Sequence, residues 1–484
     1  MKPALVLAAA LFAAACSPGT KAPRIALAPC RLAGLDSPAQ CATYEVWENR
    51  ETRTGRRITL SLAVVPARVR AHEPDPIFVL AGGPGQGAVA LAPQVMPLFS
   101  RLNDTRDIVF LDQRGTGASN PLDCEDDQRE QSLQAVFEES LPERLVQRCL
   151  QELNADPRQY VTSIAVEDLD EVRAGLGYDR INLWGGSYGT RMELEYVRRH
   201  GEHVRSMVLD GVAPANMKLP LSFVRDGEAA FERLISACEG EPLCAKVYPG
   251  LRKTVASLRA QLARSPARVA IEDPRTGERE TIEVNENVFL SGLFRPLYVA
   301  ELASLLPFGV AAAADGDFNP LLAQNLEFTD DVSENLSIGM HLSVICAEDV
   351  PRITPQDLAS IAHSFFGRAL VDDFVRACRI WPHGNVPKDF YDPVRSDVPV
   401  LILSGGIDPA TPPRHGAEVA ATLPNARHFV APELGHGVSL HGCAPRLVES
   451  FFRKGSASAL DGRCLERIPR PLFVMPLGVT RDRG

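Results

Sequence analysis

The 484-residue chain lacks a basic excess: 51 Lys and Arg stand against 61 Asp and Glu, a formal charge of −10. That balance offers no electrostatic footprint for a phosphate backbone, so nucleic acid is not an expected partner. The sequence also lacks an apolar run long enough to span a bilayer. No two cysteines stand in C-x₂-C spacing, so no metal site is expected. The glycine-rich stretch near residue 82 has neither Gly-Lys-Ser/Thr nor G-x-G-x-x-G, which argues against a phosphate cradle and implies no cofactor. What remains is ordinary globular material, 45% hydrophobic and 23% charged, in a chain large enough for two lobes.

The first sixteen residues stand apart. Lys2 precedes an apolar run that ends Ala13-Ala14-Ala15-Cys16, the pattern of an export signal. The ending resembles a bacterial lipobox, with Cys16 as the residue that would be lipidated and Ala13 where leucine is usual; simple cleavage would leave Cys16 as a plain residue. The expected location is the bacterial cell envelope or the exterior, with membrane contact only through such an anchor. Eleven cysteines are an odd number for an exported chain. With Cys16 set aside, ten fall in near pairs: Cys30 and Cys41, Cys124 and Cys149, Cys238 and Cys244, Cys346 and Cys378, Cys443 and Cys464. In an oxidising compartment these are expected to form five bridges between neighbours.

Residues 17–42 are rich in Pro, Ala and Gly and read as a tether. Residues 43–215 then alternate between strand and helix patterns. A hairpin is expected over 43–65, a strand leading into the glycine-rich loop at 77–87, another strand from 107, and a helix over 131–153. A second helix over 164–176, capped by Thr162 or Ser163, precedes strands at 181–183 and 204–210. The pattern lapses over 216–386, a mainly helical lobe with helices at 221–239, 250–264, 287–305, 354–365 and 367–379 and a small hairpin over 266–284. It returns over 387–484 with strands at 398–404 and 427–431 and a terminal helix over 444–453. The fold class is therefore α/β: a doubly wound, mostly parallel sheet interrupted by a helical cap.

Gly185, Ser187 and Gly189 form a G-x-S-x-G elbow between a strand and a helix. A serine hydroxyl needs a base within reach and a third group to orient that base. Reactive groups in a doubly wound sheet gather at the carboxyl ends of strands. Asp408 follows one late strand, and His436, between two glycines, follows the next. The order Ser187, Asp408, His436 suits a triad with Ser187 as nucleophile. Asp210 is a rival acid, and His415 and His441 are rival bases. The backbone amides of Tyr188 and Gly83 are the expected oxyanion donors.

Taken together, Gly82-Gly-Pro-Gly, Asp112-Gln-Arg-Gly, Gly185-Gly-Ser-Tyr-Gly-Thr, the Gly-Ile-Asp408-Pro turn and Gly-His436-Gly resemble the α/β-hydrolase serine exopeptidases, of the prolyl and secreted tripeptidyl aminopeptidase kind. The resemblance spans about residues 40–470. It implies removal of short units from peptides with a free N-terminus, with the helical lobe limiting access. Ala81 departs from the group, where prolyl aminopeptidases usually carry histidine before the glycines. The resemblance also implies an acid for the substrate's amino group; Glu348, with Asp349 beside it, is the candidate. An esterase or lipase-like hydrolase with the same triad is the alternative, and a non-enzymatic lipoprotein with a relict fold the third. Non-reducing peptide mapping is expected to recover the five neighbour pairs; free thiols or long-range bridges would refute them.

Overall fold

A computed structural model describes residues 24–124, 132–138, 140–273, 276–333 and 336–476. The export segment 1–16, with Cys16, lies outside them, as do residues 17–23 of the lead-in. In chain order the strands are β1 (Ala28–Cys30), β2 (Ala39–Trp47), β3 (Arg57–Val65), β4 (Ile77–Leu80), β5 (Ile108–Leu111), β6 (Ile181–Gly186), β7 (Val204–Asp210), β8 (Ala267–Glu272), β9 (Arg279–Val284), β10 (Val400–Gly405) and β11 (Ala426–Ala431). One nine-stranded sheet has the order β1-β2-β3-β5-β4-β6-β7-β10-β11, and β8 and β9 pair separately. Pairings from β1 to β5 across the first edge are antiparallel. From β5 to β11 every pairing is parallel.

The central parallel strands β4 and β5 are apolar throughout because helices cover both faces. Ile-Phe-Val-Leu in β4 and Ile-Val-Phe-Leu in β5 are buried at every position. On one face Phe78, Leu183, Leu209 and Ile402 pack against Val166 and Leu169 of the helix Thr162–Leu176 and Met192 of the helix Tyr188–His200. On the other, Val79, Phe110, Trp184 and Leu403 pack against Phe99, Phe451 and Phe452.

The structure departs from several expectations. The lead-in joins the sheet early: β1 pairs with β2 across the Cys30–Cys41 bridge, so the Pro- and Gly-rich composition hid an edge strand. The helix expected over 131–153 is two, Leu133–Glu138 and Glu143–Glu152, because Pro142 bars helical geometry just before it. The first of these packs into the cap, Leu133 and Phe137 joining Phe231, Leu234 and Phe289. The helix expected over 287–305 breaks at Pro296 into Glu286–Phe294, a tight turn Arg295–Tyr298 and Ala300–Ala303. That over 354–365 shortens to Pro355–Ser360. Helices Leu306–Ala314 and Asn319–Ser333 add to the expected set. The hairpin β8–β9 and the helices Leu221–Gly240, Leu251–Arg264, Ala369–Ile380 and Ala444–Lys454 stand where the pattern put them.

All five neighbour disulfides form. Among the described residues no helix is long and apolar enough to cross a membrane. The Cys346–Cys378 bridge closes a 32-residue separation and ties the helix Ala369–Ile380 to the segment after Ile338–Val344. A Cys346→Ser/Cys378→Ser double variant is expected to lose about 2–4 kcal/mol of stability, read from denaturant midpoints. An unchanged midpoint would count against that constraint.

Candidate active site

Strand β6 runs into the helix Tyr188–His200 through Ser187, whose φ of 55° and ψ of −122° are strained for a residue with a side chain. The turn is possible because its flanks are glycine. A Cβ on Gly189 would stand 2.3 Å from the Leu80 carbonyl oxygen, and one on Gly185 would stand 2.7 Å from the Gly189 carbonyl. The strain is held by hydrogen bonds: Ser187 N–H donates to the Asp210 carbonyl at 2.9 Å, and the Thr190 hydroxyl donates to the Ser187 carbonyl at 2.6 Å. Tyr188 opens the helix, so its amide has no carbonyl one turn back to meet.

Asp408 and His436 come together. Nδ1 of His436 lies 2.8 Å from Oδ2 of Asp408. The same carboxylate accepts from the amides of Ala410 and Thr411 at 2.8 Å and from the Thr411 hydroxyl at 2.7 Å. Burial pushes the Asp408 carboxyl up, but His436 and these donors outweigh it and hold it below the ordinary value. Burial disfavours the His436 imidazolium, yet Asp408 prevails and raises its pKa. The His436 ring also stands edge-on to Tyr298, centroids 5.3 Å apart, and its amide donates to the Tyr298 carbonyl at 2.8 Å.

Ser187 and His436 each border the end of β7. Asp210 supplies the carbonyl for Ser187, and a Cβ on Gly211 would stand 3.1 Å from Cε1 of His436. The rival acid Asp210 is occupied elsewhere. Its carboxylate accepts from the amides of Val438 and Ser439 at 2.8 Å and pins the loop beyond His436. The rival base His415 faces Asp226 at 3.3 Å. The glycine-rich loop lies alongside Ser187, where a Cβ on Gly82 would stand 3.2 Å from the Ser187 Cβ. Gly83 has a φ of 105°, open only to glycine at low cost.

Glu348 is not the open acid the resemblance implied. It is 1% exposed, and its carboxylate is engaged on both oxygens. Oε1 accepts from the Thr162 amide at 2.8 Å, and Oε2 from the Thr162 hydroxyl at 3.0 Å and Arg191 at 3.3 Å. Asp349, fully buried, takes Arg191 at 3.0 Å and Arg352 at 3.1 Å. Thr162 therefore serves Glu348 rather than capping its own helix, and the carboxylate satisfies that helix start from across the chain. Proximity in sequence could not show that Arg191, one turn past the elbow serine, is the partner. Burial pushes Glu348 up to about 7, against the pull of Arg191.

Two features had no sequence signal. Glu193 is fully buried behind the elbow with neither oxygen partnered among the described residues, and burial raises its pKa well above normal. Its Oε1 would stand 2.8 Å from a Cβ on Gly185. The second is a cap cavity lined by Phe223, Leu290, Phe294 and Phe366, with Glu138 and Asp373 also on its wall, Asp373 paired with Arg376. Rings connect it to the histidine: Phe294 to Tyr298 at 5.8 Å, then Tyr298 to His436.

Residues 75–243 match the α/β hydrolase fold family model, and residues 363–464 match the TAP-like protein model. Serine protease Hip1 of Mycobacterium tuberculosis is 25% identical over 480 residues covering 90% of each chain. Tripeptidyl aminopeptidase of Streptomyces lividans is 27% identical over 216 residues, 41% of this chain and 40% of its own. Proline iminopeptidase of Neisseria gonorrhoeae is 30% identical over 137 residues, 28% of this chain and 32% of its own.

The buried Glu348 makes a pH prediction. Its folded pKa of about 7 lies above its ordinary 4.5, so between those values the folded state keeps a proton the unfolded state has lost. Stability therefore falls as pH rises through that window. Glu348→Gln is expected to flatten the fall, read from urea midpoints at pH 5 and 7.5. An equally steep decline in the variant would refute it.

Proposed function

We propose that this member of the α/β hydrolases is an exported serine exopeptidase that removes short N-terminal units from peptides, with Ser187, His436 and Asp408 as its triad. The observation that carries the reading is the Asp408–His436 hydrogen bond, set beside a serine held at a strained elbow. The bond requires the Nδ1 proton on His436 and leaves Nε2 as the acceptor for the Ser187 proton. Ser187 Oγ attacks the scissile carbonyl, and the amides of Tyr188 and Gly83 receive the developing oxyanion. His436 gives its proton to the leaving amine. Water then enters by the same base and releases the acyl group.

The similarity to proteins named as aminopeptidases, and the matched TAP-like model, favour a peptide substrate. The cap cavity supports recognition of a free amine. Its aromatic wall suits an apolar side chain, and Glu138 and Asp373 suit an ammonium. Two ring-to-ring steps of 5.8 and 5.3 Å separate it from the imidazole, a distance that about three extended residues would span. Five disulfides fit an oxidising compartment, and lipidation at Cys16 would anchor the enzyme to a membrane.

Fluorogenic peptide amides with free and with blocked N-termini, beside short-chain esters, test the reading. Cleavage restricted to free-amine peptides is expected. Ser187→Ala should lower kcat by about 10⁶-fold and Asp408→Asn by about 10⁴-fold. Equal cleavage of blocked peptides would refute the amine requirement, and activity confined to esters would favour the esterase alternative. His436 must be neutral to act as base. Because its pKa is raised, the acid limb of kcat/KM should have its midpoint above the ordinary 6.5. A midpoint below that value would contradict the Asp408 pairing.

A further inference from the structure

The loop that carries the Gly83 amide has no side chains with which to anchor itself. Residues 82, 83 and 85 are glycine, residue 84 is proline, and Ala81 before them offers no polar group. Gly83 and Gly85 sit at φ of 105° and 115°, conformations that glycine leaves readily. An oxyanion donor is useful only if it is already aimed when charge develops. Something outside the loop must hold it.

The holder is the cap. Nδ1 of His341 lies 2.8 Å from the Pro84 carbonyl oxygen. That carbonyl can only accept, so the ring carries its proton on Nδ1 and donates. The Ser337 amide donates to the next carbonyl, Gly85, at 3.0 Å. Gln86 and Leu336 form an isolated antiparallel bridge, and a Leu336 methyl would stand 3.0 Å from a Cβ on Gly83. The clamp is itself tied down. Gly339 N–H donates to the Leu122 carbonyl at 2.8 Å, and Ser337 Oγ donates to Asp123 at 2.6 Å. His341 stands edge-on to Phe374, ring centroids 5.6 Å apart, and the Phe374 helix is joined to the following segment by Cys346–Cys378.

We propose that His341 is a positioning residue, which, with the Ser337 amide, holds the Pro84 and Gly85 carbonyls so that the Gly83 amide is aimed at the oxyanion. This rests on the acyl-transfer reading above. The cap then takes part in the chemistry as well as in access, since an anchor of the oxyanion loop belongs to it. Losing the His341 bond frees the loop without removing any group that touches substrate. The damage falls on transition-state stabilisation rather than on substrate binding.

Three variants separate donor from bulk. His341→Ala removes both. His341→Phe keeps an aromatic ring beside Phe374 but has no donor. His341→Asn places an amide N–H near the position of Nδ1. Kinetics are read on a free-amine peptide amide and on a short-chain p-nitrophenyl ester. Affinity is read for a peptide boronic acid, whose adduct with Ser187 is tetrahedral and anionic. For Ala and Phe, kcat is expected to fall about 10- to 100-fold with KM within about twofold. Boronate affinity should weaken by the same factor as kcat/KM, and Asn should restore most of the loss. Full kcat in a folded Phe variant, a change confined to KM, or intact boronate affinity would each overturn the proposal. Near-UV circular dichroism reports folding; if the Ala variant unfolds, the Phe and Asn pair still decides. If the wild type cleaves esters but no peptide, the peptidase reading fails alone, and the clamp is judged on the ester.

Discussion

The rest of the site depends on one strained residue. Ser187 at φ 55° and ψ −122° costs on the order of 1–3 kcal/mol and persists only because its surroundings over-determine it. The Gly189 backbone must pass the Leu80 carbonyl so closely that no side chain fits between them. The Asp210 carbonyl and the Thr190 hydroxyl hold the serine's own peptide groups. Thr190 in turn accepts from the Ala213 amide at 2.8 Å, so the elbow is bound to the chain leaving β7. That chain also meets the histidine, through Gly211, and pins the histidine loop, through the Asp210 carboxylate. One strand end thus sets the geometry of both groups.

The cap reaches the same centre from above. Tyr298 supplies the carbonyl that holds the His436 amide and a ring against the imidazole. His341 and Ser337 bond the Pro84 and Gly85 carbonyls of the glycine-rich loop that lies alongside the serine. The short helix Leu133–Glu138, although it precedes the elbow in sequence, packs within the cap and brings Glu138 to its cavity. A lobe with this many attachments to the reactive loops is better described as the second wall of the site than as a cover.

Beneath the elbow lies a charged layer. Arg191, one turn after Ser187, is wholly buried between Glu348 and Asp349. Removing one partner of such a cluster strands the others in a medium that cannot solvate them. This explains why an acidic pair that looks exposed in the sequence is interior. It joins the cap's last third to the elbow helix and to the start of the helix Thr162–Leu176. Glu138 and Asp373, by contrast, line the cap cavity.

Much of this protein was legible in its residues because the signals are local. Continuous apolar runs marked the parallel strands, since a strand buried on both faces has no polar side to show. The glycines around Ser187 marked the elbow, since backbone contact tolerates nothing larger. Near pairs of cysteine marked five bridges between short-range neighbours. The order of Asp408 and His436 after their strands followed from where a doubly wound sheet collects its strand ends. Other features were decided only in three dimensions. Glu348 is buried against Arg191, 157 residues away in sequence, a pairing no local signal shows. The edge strand β1 was hidden in a composition typical of a tether. Helices broke at Pro142 and Pro296, where one residue outweighed the hydrophobic period. The anchoring of the Gly83 loop by His341 joins residues 257 apart through a backbone carbonyl, and a carbonyl leaves no mark in an amino-acid sequence.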